Sequence, residues 1–360
     1  MAAQGSHEGC PYKGKSLRPR NMETRAKILE IPRLLRDTLG TGAHEYEALV
    51  RRVRWGEPPI YICGCGPSLP LGAAGVCLFE WLAGWPALDR SAKVFEAYSI
   101  LALRARSIVL VISASGEDPE SLETVQLARS RGAVPLAVTR AADSPLAKAC
   151  EGVFLTRDEG AEDSAAAAVC QLAALCRIAL TAARLLKRSS TGHELLEDEL
   201  KRLPEEMEWS FTQLRDALRS LELELRGLER FWLVGGGLYH PVAARMAWRL
   251  SASWEVQGVG IEASDFLSGP LPRLRRGEAV LFVSGSRLRA KRLVHEAAAQ
   301  FRAKEGRMFS ITDTNDRELV DRSQMAILIP PASELGGSVL ALALLELMAA
   351  SGAKPPRPAA

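Results

Sequence analysis

Aromatic residues make up only 6% of the sequence, and the 46 Lys and Arg are nearly matched by 43 Asp and Glu, leaving a formal charge of +3. The cations interleave with acids instead of gathering in a stripe. A nucleic-acid surface ordinarily shows a basic face and aromatic platforms for bases, so no nucleic-acid partner is expected. Cysteine is sparse as well: seven, an odd number, none beyond Cys176. A secreted disulfide framework is denser, which points to a reducing, cytoplasmic setting. Cys63 and Cys65 flank one glycine, but no second Cys or His pair follows at zinc-ligand spacing. No metal is expected; both cysteines read as part of a buried strand and its turn. Long apolar runs are missing except for Ala165–Leu186, which is alanine-rich and interrupted by Gln171, Arg177 and Arg184. A membrane span needs ~20 predominantly apolar residues, so this stretch reads as a buried helix and no membrane partner is expected. The first twenty residues hold no apolar segment, so no signal peptide is expected. Residues 1–22 and the proline-rich 353–360 read as disordered tails.

What is present is a repeat. The length of 360 residues, 47% of them hydrophobic, suggests about two domains. Pro59-Ile-Tyr-Ile-Cys63 runs into Gly64-Cys65-Gly66, and Phe231-Trp-Leu-Val234 runs into Gly235-Gly236-Gly237. Ile108–Ile112 leads to Ser113-Ala114-Ser115, and Ala279–Val283 leads to Ser284-Gly285-Ser286. The separation is 171 residues at both landmarks. Further on, Ala133–Thr139 parallels Arg307–Thr312, and Gly152–Leu155 parallels Ala326–Ile329. Each copy closes on an apolar helix. Short β-branched runs without alternation indicate strands buried on both faces, and their alternation with helices indicates parallel βαβ units. Each copy reads as strand–helix–strand–strand–helix–strand–short helix–strand–helix. The expected fold is α/β, two tandem doubly wound parallel-sheet domains of flavodoxin type. The expected boundaries are 23–190, with an N-terminal helix, and 230–352. Between them 191–229 forms a helical linker, broken at Pro204 and contributing no core of its own.

Open parallel sheets bind ligands at the carboxyl ends of their strands. Three loops of the first copy fall there: Gly64–Ser68, Ser113–Asp118 and Glu159–Ser164. Glycines and small hydroxyls at helix starts present backbone N–H groups and a positive dipole end to an anion. Leu69 stands where the third glycine of a dinucleotide fingerprint belongs, and no P-loop motif occurs. No nucleotide cofactor is therefore expected, and a smaller phosphorylated ligand fits better. The competing reading is that these residues only cap helices; for Asp118, followed by Pro119, capping is the stronger reading.

Ser113-Ala-Ser-Gly-Glu117, with Gly64-Cys-Gly-Pro-Ser68 about 45 residues upstream, resembles the sugar isomerase (SIS) domain. The double copy and the helices between resemble the double-SIS proteins, such as the isomerase half of glutamine–fructose-6-phosphate amidotransferase, over residues 25–352. The resemblance implies a site for a phosphorylated sugar or amino-sugar, formed mainly by the first copy and closed across a homodimer. It implies binding roles for Gly66, Ser68, Ser113, Ser115, Gly116, Glu117 and Ser164. It also marks departures. Asp118 replaces the family's last hydroxyl, where a carboxylate would repel a phosphate. Ser268 stands at the position of the family's histidine, Ala252 at that of its proton-shuttling glutamate, and Arg249 at that of a lysine. A stretch carrying the family's C-terminal lysine is not expected after Lys354, and neither is a glutaminase domain before the first copy.

Moving a proton between two sugar carbons needs a positioned base and acid, which serine and alanine cannot supply at neutral pH. Two readings stay open. One is a phosphosugar-binding protein acting as sensor or regulatory subunit. The other is an isomerase, or an amino-sugar-phosphate deaminase or deglycase, with a rearranged acid–base set. Glu262 and Asp265, in the loop before Ser268, are the candidates for that set, against the reading that both are solvated. His240, His193 and His295 read as surface or capping residues. Arg287 and Arg289 read either as an anion grip or as a solvated helix start. A scaffold without a ligand is the third possibility. An exposed apolar face over Val339–Ala350 supports the homodimer.

Overall fold

A computed structural model of the chain describes residues 25–40, 42–53, 59–159, 164–187, 191–226, 228–254 and 256–351. The expected tails, 1–22 and 353–360, lie outside the described residues. The repeat takes the form of two five-stranded sheets. The first holds β1 (Ile60–Gly64), β2 (Ala87–Ser91), β3 (Ile108–Ile112), β4 (Val134–Thr139) and β5 (Gly152–Leu155). The second holds β6 (Arg230–Gly235), β7 (Gln257–Glu262), β8 (Ala279–Val283), β9 (Arg307–Asp313) and β10 (Met325–Ile329). Their orders, β2-β1-β3-β4-β5 and β10-β9-β8-β6-β7, are the same order read from opposite edges. All eight pairings are parallel. This is the flavodoxin-type doubly wound sheet, built twice.

β3 and β8 are buried at every residue, as central strands covered on both faces must be. Successive side chains of a strand point to opposite faces. Ile62, Leu110 and Ile112 accordingly join one core, and Tyr61, Val109 and Val111 join another with Phe95 and Val125. The long helix Ala165–Leu185 has the length and composition to cross a membrane, but 94% of its most apolar window is buried inside the chain.

Several expectations change. Between β2 and β3 the chain forms helical turns over Ala92–Ala102, and between β7 and β8 it forms the helix Ala263–Ser268. The direct strand–strand step therefore does not exist, because parallel strands of one sheet need a crossover, here past β1 and past β6. The helix Thr191–Gln213 runs through Pro204, and the break comes at Leu214, before the helix Arg215–Leu225. Proline removes one backbone hydrogen bond there, but Leu200, Leu203, Met207 and Phe211 are buried along the same helix and hold it straight. These side chains, with Leu218, Leu221 and Leu225, belong to the main core, so the segment is more than a linker. Val339–Ala349 is also buried within the chain and presents no apolar face to a partner.

The two copies meet through ionic groups. Arg245, on the helix Tyr239–Trp254, is 2% exposed. Its Nη1 donates to the Pro67 carbonyl of the first copy at 3.1 Å, and its Nη2 to Glu346 Oε1 at 3.3 Å. Arg249 Nε donates to Glu346 Oε2 at 3.1 Å. Glu346, on the helix Glu334–Ser351, is wholly buried. Removing one partner of a buried ion pair leaves an uncompensated charge and costs about 3–5 kcal/mol. Glu346→Ala is therefore expected to lower unfolding free energy by about that amount in urea titrations. Unchanged stability would show that Arg245 is satisfied without Glu346.

Candidate functional site

The switch point of the first sheet lies between β1 and β3, where strand order reverses. The chain leaves β1 at Gly64, turns at Gly66 with φ +49°, and starts a helical turn at Gly66–Ser68. A Cβ on Gly64 would stand 3.0 Å from the Ser68 carbonyl oxygen, so the tight return requires glycine. Ser68 is buried, and its hydroxyl lies 3.5 Å from Gln171 Oε1 on the Ala165–Leu185 helix. Ser164 stands two turns before Gln171 on the same helix face. It caps that helix, its Oγ accepting from Ala167 N at 3.1 Å.

After β3, Ser113 is anchored by its own N–H to the Val138 carbonyl at 3.1 Å. Its Oγ accepts from Gly116 N at 3.0 Å, and Ser115 Oγ accepts from Glu117 N at 3.3 Å. Each hydroxyl hydrogen is left to donate outward. Gly116 has φ +66°, and a Cβ there would collide with Ser144. Asp118 caps the helix Pro119–Ser130 through Ser121 N at 2.8 Å. Its other oxygen, Oδ2, is buried without a hydrogen-bond partner. Glu117 is exposed. Burial pushes the Cys65 thiol up to about 12, with Glu120 and Asp118 adding to the shift. Cys65 is thus a neutral thiol at physiological pH and not a nucleophile. The structure places Gly66 with Ser68, and Ser113 with Ser115 and Gly116, in neighbouring loops at one sheet end.

The same edge carries residues missed in the sequence. Arg90 is the next-to-last residue of β2, its Nε donating to Ser99 Oγ at 3.1 Å. Arg140 follows β4, its backbone N–H donating to the Ala114 carbonyl at 3.3 Å. Its guanidinium lies 3.6 Å from Asp158, buried after β5. Burial raises the pKa of Asp158, against the pull of Thr156 and Arg140. The carboxyl-end rule that singled out the serine loops also reaches Arg140; Arg90 was hidden because the expected second strand was not assigned to residues.

In the second copy, Glu262 and Asp265 do not share a loop with Ser268. Glu262 ends β7 and caps the helix that carries the other two, accepting from Ser264 N at 2.6 Å. Asp265, Ser268 and Ala252 are exposed. His240 is half-buried; burial lowers its pKa, against the upward pull of Glu262, Asp265 and, from the first copy, Asp89. Arg289 stacks over the ring of Trp81 in the first copy at 4.5 Å, a contact neither expected role describes. Depressions of about 420 and 350 Å³ are lined by Lys291, His295 and Glu318, and by Arg52, Val53 and Arg106, away from these loops. Among the described residues no cluster of His, Cys, Asp and Glu is placed to hold a metal ion.

Two copies of one α/β unit, each with a glycine loop and a serine loop at its switch point, define a tandem doubly wound α/β class of fold. A family model of the SIS domain matches residues 55–182 and 224–351, and the chain belongs to the SIS domain family. The glutamine–fructose-6-phosphate aminotransferase [isomerizing] of Thermococcus kodakarensis is 26% identical over 90% of this chain and 53% of its own length. That of Methanothermobacter thermautotrophicus is 30% identical over 72% and 42%. The chain spans about half the length of the curated relatives it matches. Among solved structures, the C-terminal domain of glucosamine-fructose-6-phosphate aminotransferase from Francisella tularensis superimposes with a TM-score of 0.80 at 20% identity, covering 92% of this chain and 95% of that one. Tagatose-6-phosphate ketose/aldose isomerase from Escherichia coli gives 0.70 at 16%, covering 91% of each. Likeness at these identities shows a common fold.

His295 is not solvated. Its side chain is 11% exposed, with Nε2 2.7 Å from Asp316 Oδ1 and Nδ1 2.8 Å from Glu318 Oε2. The hydrogen bond to Asp316 raises its pKa against the opposing effect of burial. Burial favours a raised pKa for Asp316, but hydrogen bonds from His295 and Thr312 outweigh it and the net shift is downward. A raised folded-state pKa for histidine gives stability that is full below the unfolded value of about 6.5 and fades as pH rises through the folded value. The stability gap between wild type and His295→Asn should therefore be widest near pH 6 and close toward pH 9, measured by denaturant unfolding. A gap that stays constant across this range would show that the pair is not charged.

Proposed function

We propose that the first copy binds a phosphorylated sugar or amino-sugar at the carboxyl ends of β1 and β3, and that the chain works as a sensor or regulatory binder. The observation that carries this reading is the Ser113–Gly116 loop: its two serine oxygens accept loop amides while their hydroxyl hydrogens remain to donate to an anion. Arg90 and Arg140, at the ends of β2 and β4, supply positive charge on either side, and Asp118 spends one oxygen on its helix cap. Gly66, Ser68, Glu117 and Ser164 complete the proposed contact set. The catalytic half of the reading rests on chemistry: Ala252 and Ser268 offer no base or acid for moving a sugar proton.

One observation favours a second reading, an isomerase or an amino-sugar-phosphate deaminase or deglycase. A half-buried His240, kept neutral by burial, stands within electrostatic reach of Glu262, Asp265 and Asp89. A neutral imidazole beside carboxylates is a workable acid–base set.

Thermal unfolding with hexose phosphates and amino-hexose phosphates separates these readings. A ligand at a hundredfold excess over its Kd stabilises by about 2.7 kcal/mol. The binder predicts such a shift for one ligand, without conversion of that ligand by NMR. It also predicts loss of the shift in the Ser113→Ala, Ser115→Ala double variant. Conversion that disappears in His240→Gln would instead establish the enzyme, and no shift at millimolar ligand would remove both in favour of a scaffold.

The proposal includes a cytoplasmic location, supported by the six free cysteines among the described residues. It also includes a homodimer, now supported by a different face. Val94, Tyr98 and Leu101 form an apolar stripe along the turns after β2, the last two 73% and 74% exposed. Leu101→Glu is expected to halve the mass seen by light scattering; a wild-type monomer would refute the dimer.

A further inference from the structure

The second copy carries the same crevice with different contents. Gly237 repeats the left-handed turn of Gly66, with φ +52°. Ser284 N donates to the Ile311 carbonyl at 3.0 Å, as Ser113 N does to Val138. The backbones therefore correspond, yet the side chains do not. Tyr239 stands at the position of Ser68; Ser333 caps the closing helix as Ser164 does, and Glu334 follows it where the first copy has Ala165.

Glu334 is 5% exposed. Its Oε1 accepts from Leu238 N at 2.9 Å, after β6, and its Oε2 from Arg289 N at 3.1 Å, after β8. One carboxylate thus bridges the two loops that flank the switch point. Asp313, ending β9, accepts from Ser286 N at 2.6 Å. Tyr239 is buried, and a Cβ on Gly237 would collide with Glu334, as one on Gly337 would with the Tyr239 hydroxyl. The crevice is full. Ser284, the counterpart of Ser113, is wholly buried, and its hydroxyl has no hydrogen-bond partner. Backbone amides converging from two loops make an anion cradle, and here an internal anion lies in it.

We propose that the switch-point loops of the second copy form an anion cradle of their own, with the Leu238 amide where the first copy has Pro67, and that the Glu334 carboxylate occupies it as a built-in ligand. The arrangement excludes an external phosphate from this crevice. It holds whether or not the first copy takes a phosphosugar.

The test is thermal unfolding of the full chain while inorganic phosphate replaces chloride at constant ionic strength. Glu334→Ala leaves one buried and one part-buried N–H group without its acceptor and is expected to lower Tm by about 3–6 °C. Phosphate should restore most of that loss by filling the vacated cradle. Phosphate also stabilises folded proteins in general by exclusion from their surfaces, so Leu345→Ala, a plain core truncation, is the control. A recovery in Glu334→Ala no larger than in Leu345→Ala overturns the proposal. Glu334→Gln keeps the shape and fills the cradle but turns an NH₂ toward one amide. It should lose stability and gain no more from phosphate than the control; wild-type stability in this variant also overturns the proposal. A phosphate response in wild type reports the first copy and is subtracted, so the two sites are judged separately.

Discussion

The guanidinium of Arg245 is where the two copies hold each other. It is buried, it must be paired, and its partners come from both sides: the Pro67 carbonyl in the glycine loop of the first copy and Glu346 in the last helix of the second. A buried charge without partners is costly, so the group dictates where these elements lie. It fixes the loop that carries Gly66 and Ser68 against a helix of the other copy. The cation–π contact of Arg289 over Trp81 repeats the tie a short way off. The shape of the first crevice therefore depends on the second copy even if only the first holds a ligand.

This dependence helps explain how the copies diverged. A doubly wound sheet always leaves amides converging at its switch point, and those amides must find acceptors in water, in a ligand or in the protein itself. The first copy uses small residues: Ser113 and Ser164 accept from amides three residues on, and Ser68 lies against Gln171. The second uses Tyr239, Glu334 and Asp313, which fill. The filled copy is the one that supplies Arg245 and Arg249 to the junction.

The repeat and the fold class were readable because they rest on local rules. The runs Ile108–Ile112 and Ala279–Val283 are apolar along their whole length, and only a strand buried on both faces needs that. Strand β2 was expected but not placed, for the opposite reason: Ala-Leu-Asp-Arg-Ser is an edge strand, partly exposed after its first residue, with a sequence that reads as loop. Pro204 misled because packing of Leu200, Leu203 and Met207 overrode a backbone preference. The serine loops were found from their position at strand ends. Arg90, Arg140 and Gln171 approach them only through tertiary structure. Glu334 looked like any acid at a helix start, since nothing local tells an exposed cap from a carboxylate bridging two loops.

The substitutions at the family's catalytic positions fit the same picture. Ala252 and Ser268, the positions that the family resemblance marks as catalytic, sit at the surface on helices whose buried faces are intact. Arg249, at the position of a lysine in the family pattern, is bound to Glu346 and serves the junction between copies. A group neutralised in a buried pair is a poor proton shuttle, because transferring its proton would strand the partner's charge. The proposed binder accounts for both sides of this: the marked positions carry no group suited to moving a sugar proton, and the serine loop of the first copy keeps hydroxyls to donate to an anion. That combination is what a protein needs in order to recognise a ligand without transforming it.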